Sequence, residues 1–148
     1  MALPGLRRYE ILKVSLAIIV FLLFSVLSLT DIVAADTTSS DLIGKWKGTL
    51  IDDDQSRIPV DLTVEFKDGS LECELDYGPD RDCTSDAVSA GSEGNLFYFR
   101  FSRGDGGWCD KLTGGEMTLQ VKADGTLDLH VKHKNIDESV KLRRVDLE

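Results

Sequence analysis

The stretch Val60-Asp61-Leu62-Thr63-Val64-Glu65-Phe66-Lys67-Asp68-Gly69-Ser70-Leu71-Glu72-Cys73-Glu74-Leu75-Asp76-Tyr77 decides the fold. Side chains alternate across an extended chain, so every second residue shares a face. Val60, Leu62, Val64 and Phe66 point one way, and Asp61, Thr63, Glu65 and Lys67 the other. Asp68-Gly69 is a hairpin signal, because both residues tolerate the positive φ that a tight turn demands. The chain then returns with Leu71, Cys73, Leu75 and Tyr77 inward and Glu72, Glu74 and Asp76 outward. Two half-buried antiparallel strands follow from this one segment.

The same rhythm runs outward in both directions. Before the hairpin, Lys45 to Ile51 reads as a strand with Trp46, Gly48 and Leu50 on one face, and Asp52 to Ser56 as a turn. Asp41-Leu42-Ile43 reads as one short helical turn. After the hairpin come a turn at Gly78-Pro79-Asp80, a poorly patterned strand over Cys83–Ser89 and a Gly/Ser loop over Ala90–Asn95. Leu96 to Ser102 is an aromatic strand with Phe97, Phe99 and Phe101 aligned. The glycine-rich stretch Arg103 to Gly107 leads to Trp108-Cys109. Met117, Leu119 and Val121 mark another strand, Asp124-Gly125 a second hairpin, Leu127, Leu129 and Val131 its return. A turn over Lys134–Asp137 precedes a last strand with Val140 and Leu142. About eight short strands joined by hairpin-length turns predict an all-β antiparallel up-and-down barrel, since closing the sheet removes its exposed edges.

The N-terminus carries an address. Arg7, Arg8 and Lys13 precede an uncharged, mostly apolar run from Val14 to Thr30, and Val33-Ala34-Ala35 offers the small residues a signal peptidase reads. Residues 1–35 therefore read as a secretory signal peptide, and residues 36–148 as a single barrel domain. The length of the run also fits an uncleaved N-terminal anchor. On either reading the domain lies outside the cytoplasm, secreted or in the periplasm or cell envelope, and meets a membrane only through the N-terminal segment.

The charge narrows the partners. The chain holds 17 Lys and Arg against 26 Asp and Glu. Taking away the three basic and two acidic residues of the first 35 leaves 14 against 24, a net charge near −10. Such a domain repels nucleic acid and anionic membrane surfaces. Small molecules and extracytoplasmic proteins remain as partners.

Three cysteines, Cys73, Cys83 and Cys109, follow the leader. In an oxidising compartment two of them pair. Around the Gly78 to Arg81 turn, Cys73 falls opposite a residue near Asp86, which leaves Cys83 about 10 Å further along the strand, out of disulfide reach. Cys109 lies in a glycine-rich loop that can fold back over the start of the Cys83–Ser89 strand. The expectation is a Cys83–Cys109 disulfide with Cys73 free and buried. No C-x-x-C pair is present to suggest a zinc ribbon or a redox motif.

Catalytic and metal motifs are missing from the sequence. His130 and His133 lie three apart on a strand, so they face opposite sides and cannot jointly hold a metal. Neither Asp52-Asp53-Asp54 nor the group Asp76, Asp80 and Asp82 has the spacing of an EF-hand loop. The expectation is a protein with no catalytic residues, no metal and no cofactor. Three residues are candidates for binding. Trp108 stands in a polar loop beside the expected disulfide, where it either stacks on a ligand or lids the barrel over Phe99 and Phe101. Arg103 and Asp105 belong to an Arg-Gly-Asp tripeptide of the kind integrins recognise. Recognition is expected at one loop end, formed by Ala90–Asn95 and Arg103–Trp108.

Leu42-Ile43-Gly44-Lys45-Trp46-Lys47-Gly48 resembles the Gly-x-Trp opening of the calycin superfamily, which includes lipocalins, fatty-acid-binding proteins and avidins. That resemblance implies a barrel whose Trp46 closes one end, with a basic residue of the last strand packed across it. Arg144 is in phase with Val140 and Leu142 and would supply a cation–π partner. Trp46, Gly48, Tyr77, Cys83, Phe97 to Phe101 and Cys109 are also similar to the layout of small secreted bacterial barrels, some attached to the outer face of Ser/Thr kinases. Those have no settled activity. The glycine usual after their first Cys is replaced here by Thr84 and Ser85. The reading is a secreted, non-enzymatic ligand- or partner-binding β-barrel. The alternative is an acidic inhibitor of an extracellular enzyme such as a lysozyme-like hydrolase, with Asp52 to Asp54 entering a basic cleft. A structural envelope protein is a third reading.

Overall fold

A computed structural model describes residues 39–145. The signal peptide or anchor read for residues 1–35 lies outside the described residues. A short helix α1 (Ser39–Leu42) leads into β1 (Gly44–Ile51), β2 (Arg57–Lys67) and β3 (Ser70–Asp76). A second short helix α2 (Gly78–Arg81) precedes β4 (Thr84–Glu93) and β5 (Leu96–Gly104). A 3₁₀ turn (Cys109–Leu112) precedes β6 (Glu116–Val121), β7 (Thr126–His133) and β8 (Ile136–Arg144). Each strand pairs antiparallel with the next, and β8 returns to β1, so the sheet is a closed eight-stranded barrel.

The hairpin that opened the reading is built as its residues require. Asp68 and Gly69 have φ of 50° and 88°, and Val64 stands opposite Cys73 and Leu62 opposite Leu75. Alternation then sends one face of every strand inward. Trp46, Leu62, Leu75, Phe99, Phe101 and Met117 occupy the interior, each no more than 1% exposed. Burying each such side chain is worth about 1.5–3 kcal/mol, which is why the pattern governs the register.

The barrel has two ends. The connections β1–β2, β3–β4, β5–β6 and β7–β8 lie at one, here the upper end. Helix α1 and the turns β2–β3, β4–β5 and β6–β7 lie at the lower end. Trp46 is buried at the lower end. It pairs with Arg144 across β1 and β8, and the Arg144 guanidinium carbon lies 4.5 Å from the indole centroid. The indole N–H donates to the Leu42 carbonyl at 2.9 Å. Arg144 donates to the carbonyl of Ile43 at 2.8 Å and to that of Asp41, so one side chain pins α1 beneath the barrel.

Three expectations change. Phe66 is in phase with the interior but 62% exposed, because β1 begins at Gly44, opposite Val64, and leaves Phe66 flanked by β3 alone. Phase selects a face; only the neighbours decide whether it is covered. Second, β4 runs on to Glu93, with register shifts between Asp86 and Ala87 and between Ser89 and Gly91. Such irregularities break strict alternation, which explains the poor pattern. Third, Ala90–Asn95 is therefore mostly strand, and its turn, Gly94-Asn95, lies at the lower end. It does not join Arg103–Trp108, which lie at the upper end.

Candidate upper-end site

The upper end is organised by a residue that sequence reading did not single out. Helix α2 presents Arg81, whose side chain is only 9% exposed, over the mouth of the barrel. Its guanidinium donates to both carboxylate oxygens of Glu138, at 2.8 and 3.1 Å, a forked pairing that suits the planar donor. It also donates to Asp52 at 3.3 Å. Burial opposes the charge on Arg81, but the hydrogen bonds and charge of Glu138, with Asp52, more than offset it and raise the pKa.

Two aromatic rings flank that cation. The Arg81 guanidinium carbon lies 3.6 Å from the centroid of Trp108 and 4.9 Å from that of Tyr77. The two rings meet edge to face, with centroids 4.7 Å apart. Tyr77 is buried and donates to Glu138 at 3.4 Å. Burial pushes its phenol well above the ordinary range, and the Glu138 carboxylate adds to that while Arg81 opposes it. Trp108 is half-buried, packed against the core on one side and open on the other. The lid reading of Trp108 thus takes a different form, since it rests on Tyr77 and Arg81.

The disulfide ties these parts together. Cys83 and Cys109 are bonded, with Cα atoms 5.8 Å apart, and Cys73 is free and buried. Cys73 stands opposite Ala87, one residue from the expected Asp86, for the reason the strand count supplied. Cys83 follows Arg81 by two residues and Cys109 follows Trp108 directly, so the bond fixes both halves of the stack. Burial pushes the Cys73 thiol up, away from the reactive thiolate.

The remaining candidates lie apart from this cluster. Arg103 is bonded to Asp86 on the outer wall, at 2.7 and 3.0 Å. Gly104 ends β5, and the Asp105 N–H donates to the Thr84 carbonyl at 2.9 Å, so the tripeptide sits at a strand end rather than in a free loop. Arg103 lines an outer groove of about 430 Å³ with Glu65, Glu72 and Glu74. Trp108 lines a separate hollow of about 300 Å³ with Ile51, Asp52, Asp53, Arg81 and Glu138. Asp105 lines neither. His130 is held by Asp137 at 2.7 Å, and His133 is half-buried. Among the described residues no three His, Cys, Asp or Glu side chains are grouped to hold a metal.

Arg81 carried one sequence signal: it follows Gly-Pro-Asp two residues before a cysteine. Nothing local marks it as buried, because its partners lie 29 and 57 residues away.

No protein-family model matches the chain, and no curated protein matches it. Among solved structures, the REP1-NXSQ fatty acid transporter is similar, with a TM-score of 0.49 and 14% identity. That likeness covers 74% of this chain and 100% of the transporter. The barrel assignment stands on the strand pairing itself, a closed eight-stranded antiparallel barrel.

Proposed function

We propose that this protein is a non-enzymatic binding barrel of the extracytoplasmic space, and that it binds through the upper-end hollow beside Trp108. The observation that carries the reading is the stack of Trp108 on Arg81. A half-exposed indole is held rigid by a buried cation, a buried phenol and an adjacent disulfide, at the rim of a concave surface. Rigid aromatic anchors of this kind cost little entropy on binding and dominate contact energies. The core side chains occupy the interior, which supports a binding surface at the rim.

Three groups able to act as a base or nucleophile are engaged or buried, which fits a binding role. His130 is engaged by Asp137, Tyr77 serves Glu138, and the Cys73 thiol is buried. The disulfide agrees with export through the N-terminal segment. The enzyme-inhibitor reading has less support. Asp52 is drawn back onto Arg81 and Asp54 accepts the Ser56 N–H, so two of the three carboxylates of the acidic turn are engaged within the barrel, and only Asp53 is left to face a basic partner.

The test is capture from the producing cell's envelope fraction. Wild-type protein, Trp108→Ala and Phe66→Ser, which alters the exposed aromatic of the opposite end, are immobilised in parallel. A partner retained by wild type and Phe66→Ser but lost with Trp108→Ala supports the site, provided the variant keeps its melting temperature. The same partners on all three surfaces would remove it.

A further inference from the structure

The barrel closes unevenly, and its weakest closure borders the upper-end hollow. β1 pairs with β2 from Gly44 to Ile51, and β8 pairs with β7 from Ile136 to Arg143. Between themselves, β1 and β8 pair only over Trp46–Gly48 and Leu142–Arg144. Gly48 marks the last close point: a Cβ there would lie 2.6 Å from the Lys141 carbonyl oxygen. Above it β1 and β8 have no paired residues, and the hollow is lined by Leu50 to Asp53 on one side and Asn135 to Ser139 on the other.

The end of the pairing leaves backbone groups facing the gap. His133 and Ile136 close a hairpin around the two residues Lys134 and Asn135, which makes them a hydrogen-bonded pair. In an antiparallel ladder the bonded residues alternate. Glu138 and Val140 therefore serve β7, while Asp137 and Ser139 turn their N–H and C=O groups toward the seam. Both are exposed and have no partner in β1 among the described pairings. A free strand edge is a template for another chain.

The walls of the gap select the chemistry of that chain. Asp52, Asp53, Asp137 and Glu138 line it against one cation, Arg81. Arg81 already serves Glu138 and Asp52, and the Asp53 carboxylate has no cationic partner among the described ion pairs. An anionic ligand would meet net repulsion. Ile51, 50% exposed, and Ile136 and Trp108, packed against the core, add apolar surface to the lining.

We propose that the occupant of the hollow is an extended basic segment of a partner protein, which adds as a strand to the free edge of β8. This deepens the proposed binding role and rests on it. Main-chain bonds to Asp137 and Ser139 supply affinity, and alternate side chains supply selectivity, apolar ones toward Trp108 and basic ones toward Asp53. A second copy of this acidic chain is the disfavoured occupant, because like charges would face each other.

The test uses the full chain and three peptide probes: acetyl-(Lys-Val)₄-amide, its (Glu-Val)₄ counterpart, and a (Lys-Val)₄ peptide with alternate amides N-methylated. The expected result is binding of the first alone, weakened by salt, with slowed amide exchange at Asp137 and Ser139 and a shift in Trp108 fluorescence. N-methylation, which removes strand donors and keeps the charge, should weaken binding at least tenfold. Ser139→Pro should do the same without loss of melting temperature, because it deletes a seam-facing N–H and spares the β7 ladder. Equal binding of the methylated peptide, unchanged exchange at β8, or a salt-insensitive dimer protecting the same amides would overturn strand addition. A Trp108 shift without β8 protection would leave the hollow as a binding site and reject only the strand. Absence of any (Lys-Val)₄ binding, while the envelope partner still depends on Trp108, would likewise reject the basic strand and keep the site.

Discussion

Arg81 and Trp108 form the closer of the two cation–π contacts at the upper end, with the guanidinium carbon 3.6 Å from the indole centroid, and each lies close in sequence to one cysteine of the only disulfide among the described residues. The contact makes Arg81 a structural plug as well as the floor of the hollow. Replacing Arg81 by Ala strands Glu138 without its cation and removes both stacking contacts. Loss of one partner of a largely buried pair costs about 3–5 kcal/mol, and partial exposure of Asp52 places Arg81→Ala at the lower end of that range. Urea denaturation measures it. A change below about 0.5 kcal/mol, the size expected of an exposed pair, would refute the plug.

At the lower end, Trp46→Ala should destabilise the barrel by about 3–5 kcal/mol, as truncation of a large buried aromatic does. Arg144→Ala should cost less. The two effects should not add, because the groups touch and share α1 through the carbonyls of Leu42, Ile43 and Asp41. A double-mutant cycle with no coupling would contradict this closure.

The Cys83–Cys109 bond closes a loop of sequence separation 26. In the chain-entropy account such a loop is worth about 3.5 kcal/mol. The Cys83→Ser, Cys109→Ser double variant should lose an amount of that order, and its Trp108 emission should shift to longer wavelength as the stack loosens. In native protein a maleimide should leave Cys73 unlabelled until denaturant is added. Rapid native labelling would place that thiol at the surface.

Stability should fall at both pH extremes for separate reasons. Hydrogen bonds from Thr126 lower the pKa of Asp124, and the His130 contact lowers that of Asp137, both from an ordinary 3.8. A carboxylate depressed in the folded state adds stability above its unfolded pKa, and this is lost as pH falls through the folded value. The acid limb should thus begin near pH 4, and Asp124→Asn should flatten it. Tyr77 behaves oppositely, because burial raises its pKa from 10.0. Its contribution is intact below pH 10 and is lost as pH rises further, so ultraviolet titration should show Tyr77 ionising only as the barrel unfolds. A Tyr77 that titrates normally in folded protein would contradict its burial.

Alternation and turn chemistry are local properties, and they carried the fold. The Val60–Tyr77 hairpin, the aromatic strand and the two Asp-Gly turns each state their geometry within a few residues, because a pleated chain puts every second side chain on one face. The pairing of Cys83 with Cys109 was legible for the same reason: a strand register and a turn length place Cys73 out of reach. The opposition of Trp46 and Arg144 came from the resemblance and from phase together. What the tertiary structure alone decided lies where distant segments meet. Phe66 keeps the inward phase yet is exposed, because the length of β1 sets where the wall is covered. Ala90–Asn95 lies at the lower end because consecutive connections of an up-and-down barrel alternate between its ends, and its strand character is obscured by two register shifts in β4. Arg81 became a partly buried, paired cation through Glu138 and Asp52, and the hollow beside it lies where the β1–β8 pairing ends after Gly48. Burial, charge pairing and strand separation depend on which surfaces are brought together in space, and periodicity along the chain encodes only which way each side chain points.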